Sequence, residues 1–317
     1  MANTSHEISK YTLSEGVPWL VVYICEAVLV LTGNSITVYI FWNIRKRLKR
    51  TSYLLINLAV ADFLVGIAIT LFLWEAIAEM LDRDVSHGTV TTATMVDLIG
   101  TISSVLSMAL ISLERMLAIL WPFRHRLLNV WYYHASIGFI WLVSALNVFS
   151  NLHLDPDTTK ADNAYSILTA TTYISSVVII VLAYTAIWIS TIRNQIPSDE
   201  HSQRQIKQNR KLTKTLCLVT ALSVITCLPY AISIAFQDFL QHLYSFRAQI
   251  TVALQYANSF LNPVVYCFKM PEFKASLRKL FCRCRRPLEL PSFNTAENTS
   301  ETTSGVTPRS LRAATAV

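Results

Sequence analysis

Asp97 and Arg115 stand 18 residues apart, which at 3.6 residues per turn returns both to one face of a helix. Ser104 lies between them, close to the same stripe. In an apolar helix such a polar line turns inward, away from lipid. A carboxylate held there, in a low-dielectric cleft, binds an ammonium group through a charge-assisted hydrogen bond. Asp62 ends the run Asn57-Leu58-Ala59-Val60-Ala61-Asp62, in the middle of another apolar stretch. A lone carboxylate at that depth is protonated, paired or bound to a cation. Its available polar neighbours are Ser104, Asn258 and Asn262. An oxygen cluster of this kind suits a hard monovalent cation or a proton, and a protonated Asp62 acting as a hydrogen-bond hub is the alternative. Glu26, Glu114 and Arg115 are the other ionisable groups that need an account. Asn262-Pro263-Val264-Val265-Tyr266 sets a helix breaker inside the last apolar stretch. The proline frees a backbone carbonyl that neighbours must re-satisfy, so this helix is packed in a bundle and able to bend.

The elements that position these groups follow from hydropathy. The chain is 53% hydrophobic and only 15% charged over 317 residues, which excludes a soluble domain of this length. A span needs ~20 apolar residues, and seven such stretches are read: Trp19–Trp42, Ser52–Trp74, Val90–Leu120, Tyr132–Leu152, Tyr165–Ile192, Leu212–Phe239 and Ala248–Phe268. The expected fold is all-α, a seven-transmembrane helix bundle followed by a short amphipathic cytoplasmic helix. No N-terminal signal peptide is read, and the first span serves as its own insertion signal. Lys and Arg crowd the loops after spans one, three and five and the stretch after span seven, as in Arg45-Lys46-Arg47-Leu48-Lys49-Arg50. Acids dominate the other side, with Asp82, Asp84, Asp155 and Asp157 among them. This asymmetry places the N-terminus outside and the C-terminus in the cytoplasm, in a multi-pass arrangement suited to the plasma membrane. The net charge of +7 then reflects topology and contact with the cytoplasmic leaflet, and no nucleic-acid partner is expected.

Four segments result: an extracellular N-terminus over 1–17, the spanning bundle over 18–268, an amphipathic helix over 269–284 and a disordered cytoplasmic tail over 285–317. Asn3 opens the triplet Asn3-Thr4-Ser5 and is the expected glycosylation acceptor. None of the six cysteines falls in an outer loop, so no extracellular disulfide is expected. Phe273, Leu277, Leu280 and Phe281 recur at amphipathic spacing just before Cys282 and Cys284. A basic amphipathic helix followed by cysteines suits palmitoylation and contact with membrane lipid.

Other classes fare less well. The spans carry no HExxH, no GxSxG and no histidine cluster, so an enzyme is not expected. A proton-coupled transporter would use Asp62 and Asp97 as relays, but seven spans without an inverted repeat or paired broken helices argue against it.

The motifs resemble, in register, those of the rhodopsin-like (class A) G-protein-coupled receptors, over nearly the whole chain to about Cys284. Gly33-Asn34 is similar to that family's GN pair, and Asn57 through Asp62 to its NLAxxD motif. Glu114-Arg115-Met116 resembles its D/E-R-Y triplet, Trp141 its lone fourth-span tryptophan, and Cys227-Leu228-Pro229-Tyr230 its CWxP motif. Asn262 to Tyr266 matches its NPxxY. The resemblance implies a receptor that passes an extracellular ligand's signal to a heterotrimeric G protein. It implies an allosteric sodium ion at Asp62, Ser104, Asn258 and Asn262, and no other cofactor. Arg115, neighboured by Glu114, would be released to meet the G protein; Tyr184 and Tyr266 would swing toward it; Pro229 would be the sixth-span hinge. Thr299, Ser300, Thr302, Thr303 and Ser304 would be sites for a receptor kinase and arrestin.

Departures from the family pattern are informative. Met116 stands for the triplet's tyrosine, and Leu228 is read in place of the tryptophan beneath the ligand. No acid occurs from Gln203 to Lys214, so a lock between Arg115 and span six is not expected. The missing outer cysteines and the absence of proline from span five are similar to the melanocortin and cannabinoid subset. Span seven has no lysine where opsins carry their retinal link, and has Tyr256 two turns outside Pro263. Asp97 with Tyr256 resembles the acid–tyrosine pair of aminergic receptors. A small extracellular amine or other cationic ligand is therefore expected at Asp97 and Tyr256, with Tyr230 supplying a cation–π face and Thr169 and Thr172 hydrogen-bonding a hydroxyl. A peptide or lipid ligand on the same receptor is the alternative, with the loop acids recruiting a basic peptide.

Overall fold

The computed structural model describes residues 13–48, 51–81, 83–153, 159–193, 218, 221–233 and 246–284. The side chains at several segment ends, 281–284 among them, lie outside the description. The described elements are helical: α1 Leu13–Leu48, α2 Thr51–Met80, α3 His87–Leu120, α4 Pro122–Leu127, α5 Val130–His153 and α6 Thr159–Arg193, then α7 Ala221–Ser233, α8 Phe246–Lys269 and α9 Pro271–Cys284. Together with the hydropathy pattern, α1, α2, α3, α5, α6, α7 and α8 make a seven-transmembrane bundle. Much of the sixth stretch read from sequence, Leu212–Phe239, lies outside the described residues. Residues up to Arg278 form one compact unit, and Lys279–Val317 a second; the contacts given below all fall in the first.

The first five spans run longer than the apolar stretches that announced them. α1 begins six residues before Trp19 and continues to Leu48, through the basic Arg45-Lys46-Arg47. Hydropathy stops at the first charges, whereas the helical hydrogen-bond ladder continues past them. Helix ends are set by local chemistry. Ser86 caps α3 by accepting from the Gly88 N–H at 3.2 Å. Trp121 closes it with its N–H on the Leu117 carbonyl, and Pro122 at the start of α4 prevents a simple continuation.

α3 is the central post, packing against α2, α5 and α6, while α1 packs on α2 and α8. Small residues permit these approaches. A Cβ at Gly100 would meet the Val65 nitrogen at 3.0 Å and the Ala61 carbonyl at 3.1 Å, so α3 and α2 touch nearly backbone to backbone. A Cβ at Gly33 would crowd the Pro263 ring at 3.2 Å.

The distribution of polarity is that of a protein solvated by lipid. Asp62, Asn34, Ser103, Ser112 and Ser144 are fully buried, while Phe139, Leu182, Trp188 and Phe268 are exposed. Buried hydroxyls return a hydrogen bond to their own helix, as Ser112 does to the Met108 carbonyl at 2.8 Å and Ser176 to Thr172 at 2.7 Å. The chain is a multi-pass membrane protein. At the Arg115 end, Phe41, Tyr266 and Phe273 form an aromatic triangle with centroids 5.4, 5.4 and 6.0 Å apart. It joins α1, α8 and the start of α9, whose Phe273 is buried while Lys274 faces out.

Candidate functional site

Pro263 has no N–H, so the carbonyl of Ser259, one turn earlier, loses its helical partner. Asn34 supplies the replacement: its Nδ2 donates to the Ser259 carbonyl at 3.0 Å and to Val30 at 2.9 Å. Gly33 beside it lets α1 come close enough. The Pro263 turn of α8 is thus fastened to α1, and Asn262 beside it reaches α2.

There Asp62 sits, fully buried. Ser104 donates to its Oδ1 at 2.7 Å, Ser259 to the same oxygen at 3.0 Å, and Asn262 to its Oδ2 at 2.7 Å. Asp62, Ser104 and Asn262 come together as the spacing suggested, but Ser259 rather than Asn258 donates to the carboxyl. The reason is geometric: Asp62 lies between residues three apart on α8, and Asn258 falls on a neighbouring strip of that helix. Asn258 is nonetheless buried, with its Oδ1 lacking a partner, as does the Oδ1 of Asn262. A second network runs across the bundle beside it. Asn57 donates to Ser107 at 2.8 Å and accepts from the Trp141 indole at 2.9 Å, and Ser103 pairs with Ser144 at 2.8 Å. Among the described residues no group of three or more His, Cys, Asp or Glu side chains gathers.

At one end of α3 the Arg115 guanidinium pairs with the Glu114 carboxylate beside it and donates to the Thr51 hydroxyl. Thr51 in turn donates to Glu114 at 3.2 Å. His125 of α4 meets the same Glu114 oxygen at 2.9 Å, and the Tyr133 hydroxyl lies 3.5 Å from it and 3.3 Å from His125. Sequence reasoning missed Thr51, His125 and Tyr133. They come from the first turn of α2, the break after α3 and the start of α5, where no periodicity links them to Glu114. The 203–214 segment lies outside the described residues. Tyr266 is buried, and Tyr184 and Asp62 both lie within electrostatic reach of its hydroxyl.

Toward the other end of α3, Asp97 is 8% exposed and its Oδ1 has no partner. The Tyr256 hydroxyl reaches the carboxyl as a hydrogen-bond donor. Tyr256 also lies within electrostatic reach of Tyr230, Tyr23 and Glu26. Tyr230 stacks edge-on against Tyr173, centroids 6.1 Å apart. Thr169 is buried with a hydroxyl that has no partner. Thr172 is half-buried and donates to the Leu168 carbonyl at 2.8 Å, which leaves it able only to accept from a ligand. Leu228 is 40% exposed and faces outward, whereas Cys227 is buried near Asp62. One residue on a helix is a rotation of about 100°, so the core position just before Pro229 belongs to Cys227. Glu26, Tyr23, Tyr173 and Gln255 were not anticipated here. The unassigned acid Glu26 was the one available signal.

Asn3, Asp82, Asp155, Asp157 and residues 299–304 lie outside the described residues. Cys282 and Cys284 fall in the last turn of α9, where side chains are not described.

Comparison with known proteins places this arrangement. A family model described as 7 transmembrane receptor (rhodopsin family) matches residues 33–266. The Substance-K receptor of Canis lupus familiaris is 24% identical over 295 residues, covering 84% of this chain and 76% of that receptor. The Neuromedin-K receptor of Mus musculus is 24% identical over 291 residues, covering 84% and 64%. The crystal structure of squid rhodopsin shares the fold, with a TM-score of 0.72 at 18% identity over 89% of this chain and 92% of the other. The matched residues run from Gly33 through Asp62 and Arg115 to Tyr266, and the chain belongs to the rhodopsin family of seven-transmembrane receptors.

Proposed function

We propose that this receptor lies in the plasma membrane with its N-terminus outside and its C-terminus in the cytoplasm, and that it takes a small cationic ligand, a biogenic amine or similar ammonium, at Asp97. Family membership makes it a G-protein-coupled receptor for an extracellular ligand, not an enzyme, and sets the transporter alternative aside. The orientation rests on the crowding of Lys and Arg into alternate loops.

The ligand reading is carried by the Asp97 carboxyl, which is buried, faced by Tyr256 and left with an oxygen to which no described residue donates. A buried acceptor in this condition gains most from an incoming N–H donor that carries charge. Tyr230, within electrostatic reach of Tyr256, would add a ring face. The test is a dose–response series with amines, basic peptides and lipids, read by G-protein dissociation. Truncating one partner of a desolvated charge pair costs ~2–5 kcal/mol, roughly 30- to 5000-fold in potency. Asp97→Ala should lose that much, and Asp84→Ala, in an exposed loop, little. Potency within a few-fold in Asp97→Ala would turn the reading to a lipid or neutral ligand. Relatives named for substance K and neuromedin K are the reason that peptides belong in the series.

The Asp62 site fits a sodium ion. An anionic carboxyl, a serine hydroxyl and two buried amide oxygens without partners suit a small hard cation. Asp62, Ser104, Asn258 and Asn262 would hold it, and the ion would supply a positive charge that favours the inactive arrangement. Asp62→Asn is expected to remove the sodium sensitivity of agonist affinity, and unchanged dependence would move the site elsewhere. Arg115, once parted from Glu114, would meet the G protein. Pro229 would be the hinge, with Tyr184 and Tyr266 moving inward. Receptor kinase and arrestin would act on the tail, and Cys282 and Cys284 would carry palmitate into membrane lipid.

A further inference from the structure

Two acids, not one, face Tyr256. Asp97 comes from α3 and Glu26 from α1, and the tyrosine lies within electrostatic reach of both. Glu26 is 7% exposed, and its Oε2 has no partner. Two nearby hydroxyl donors are already committed. A phenol has a single proton to give, and that of Tyr256 goes toward Asp97. The Tyr23 hydroxyl, one turn before Glu26 on α1, donates to Gln249 Oε1 at 2.5 Å. Gln255, next to Tyr256 on α8, is buried, and its own Oε1 lacks a partner. A carboxyl kept as helix-to-helix glue looks different, as Asp62 with its donors from α3 and α8 demonstrates. Among the described residues, one oxygen of each outer acid lacks a donor, and each gains from a cationic group that brings its own N–H bonds. Tyr23, one turn from Glu26, packs edge to face on Tyr256, centroids 6.1 Å apart, and these rings offer an apolar surface for the link between two cations.

We propose that Glu26 and Asp97 form a two-carboxylate site that selects a ligand with two organic cationic centres, such as a short diammonium, over one with a single centre. This rests on the assignment of Asp97 as an ammonium anchor and adds a second anchor on α1. Helix α1 becomes part of the recognition surface rather than only a support.

The experiment uses the full-length receptor in membranes. Its probes are α,ω-diaminoalkanes of graded length and the matching alkyl monoamines, read by G-protein dissociation and by competition between the two series. The wild-type receptor should prefer the best diamine over its monoamine by about tenfold or more, the effect of one additional charge-assisted hydrogen bond. Glu26→Gln keeps the shape, and should abolish that preference while leaving monoamine potency unchanged. Glu26→Asp withdraws the carboxyl by one methylene, and should shift the optimum toward a longer diamine, a change that a purely structural Glu26 would not produce. Surface expression and unliganded melting temperature of both variants report folding. Equal potency of diamines and monoamines on the wild type, no response to any diamine, or a diamine preference that survives Glu26→Gln each overturns the proposal. So does a Glu26-dependent shift in melting temperature caused by calcium or magnesium alone, which would make the pair a metal site. If Asp97→Asn leaves both series unchanged, the ammonium reading of Asp97 fails, and that failure is separate from any outcome at Glu26.

Discussion

Asp62 and Asp97 are both buried carboxyls, one on α2 and one on the α3 that packs against it, and their surroundings are opposite. Asp62 receives hydrogen bonds on both oxygens, from Ser104, Ser259 and Asn262. Asp97 has the Tyr256 hydroxyl for one oxygen and, among the described residues, nothing for the other. The first arrangement ties α2, α3 and α8 together; the second leaves demand for a donor that the described protein does not meet. Oxygens that receive donors stabilise the fold, and those that do not, on Asp97 as on Asn258 and Asn262, are the atoms left for a ligand.

The contrast breaks most clearly in stability. Asp62→Ala orphans the donors that met the carboxyl, and is expected to cost about 3 kcal/mol, seen as a large fall in melting temperature in detergent. Asp97→Ala should leave melting unchanged or raised while potency collapses. If both variants melt alike, the distinction between a fastening acid and a waiting one is wrong. Asn34→Ala should come next, at about 1–3 kcal/mol, because the Ser259 carbonyl loses its substitute donor; a change below measurement would mean that the bend of α8 holds itself. A smaller effect is expected at the Arg115 end. His125→Ala removes one of the groups that fix Glu114, and basal nucleotide exchange should rise by roughly fivefold, the equivalent of about 1 kcal/mol. Unaltered basal exchange would confine the restraint to Thr51 and Glu114. Tyr256→Phe is the mildest. It removes one hydrogen bond and no charge, so agonist potency should fall by only about fivefold, and a loss as large as that of Asp97→Ala would show that the tyrosine carries the binding itself.

The sequence made the spans legible because lipid imposes hydropathy on length. It also made the α3 line of Asp97, Ser104 and Arg115 legible, since those residues share one helix and its period. What it could not show was rotation between helices. Asn258 and Ser259 are adjacent, and which one meets Asp62 depends on how α8 is turned against α2, a matter settled by Gly33 and Pro263 in contact. His125 and Tyr133 escaped notice because the chain breaks at Trp121-Pro122 before it brings them back to Glu114. Glu26 was visible as an acid in an apolar stretch, but its distance in sequence from Asp97 and Tyr256 hid the relation.

The Asn34 bond to Ser259 spans 225 residues, and this gives the fold a timetable. A ribosome adding ~5–20 residues per second completes α1 roughly 10–50 seconds before it completes α8. During that interval the Asn34 amide is in the membrane and its eventual acceptor has not been made. The first span thus enters the bilayer carrying a fitting for the last, and the bend at Pro263 becomes a late event of biosynthesis, complete only when the two ends of the bundle meet.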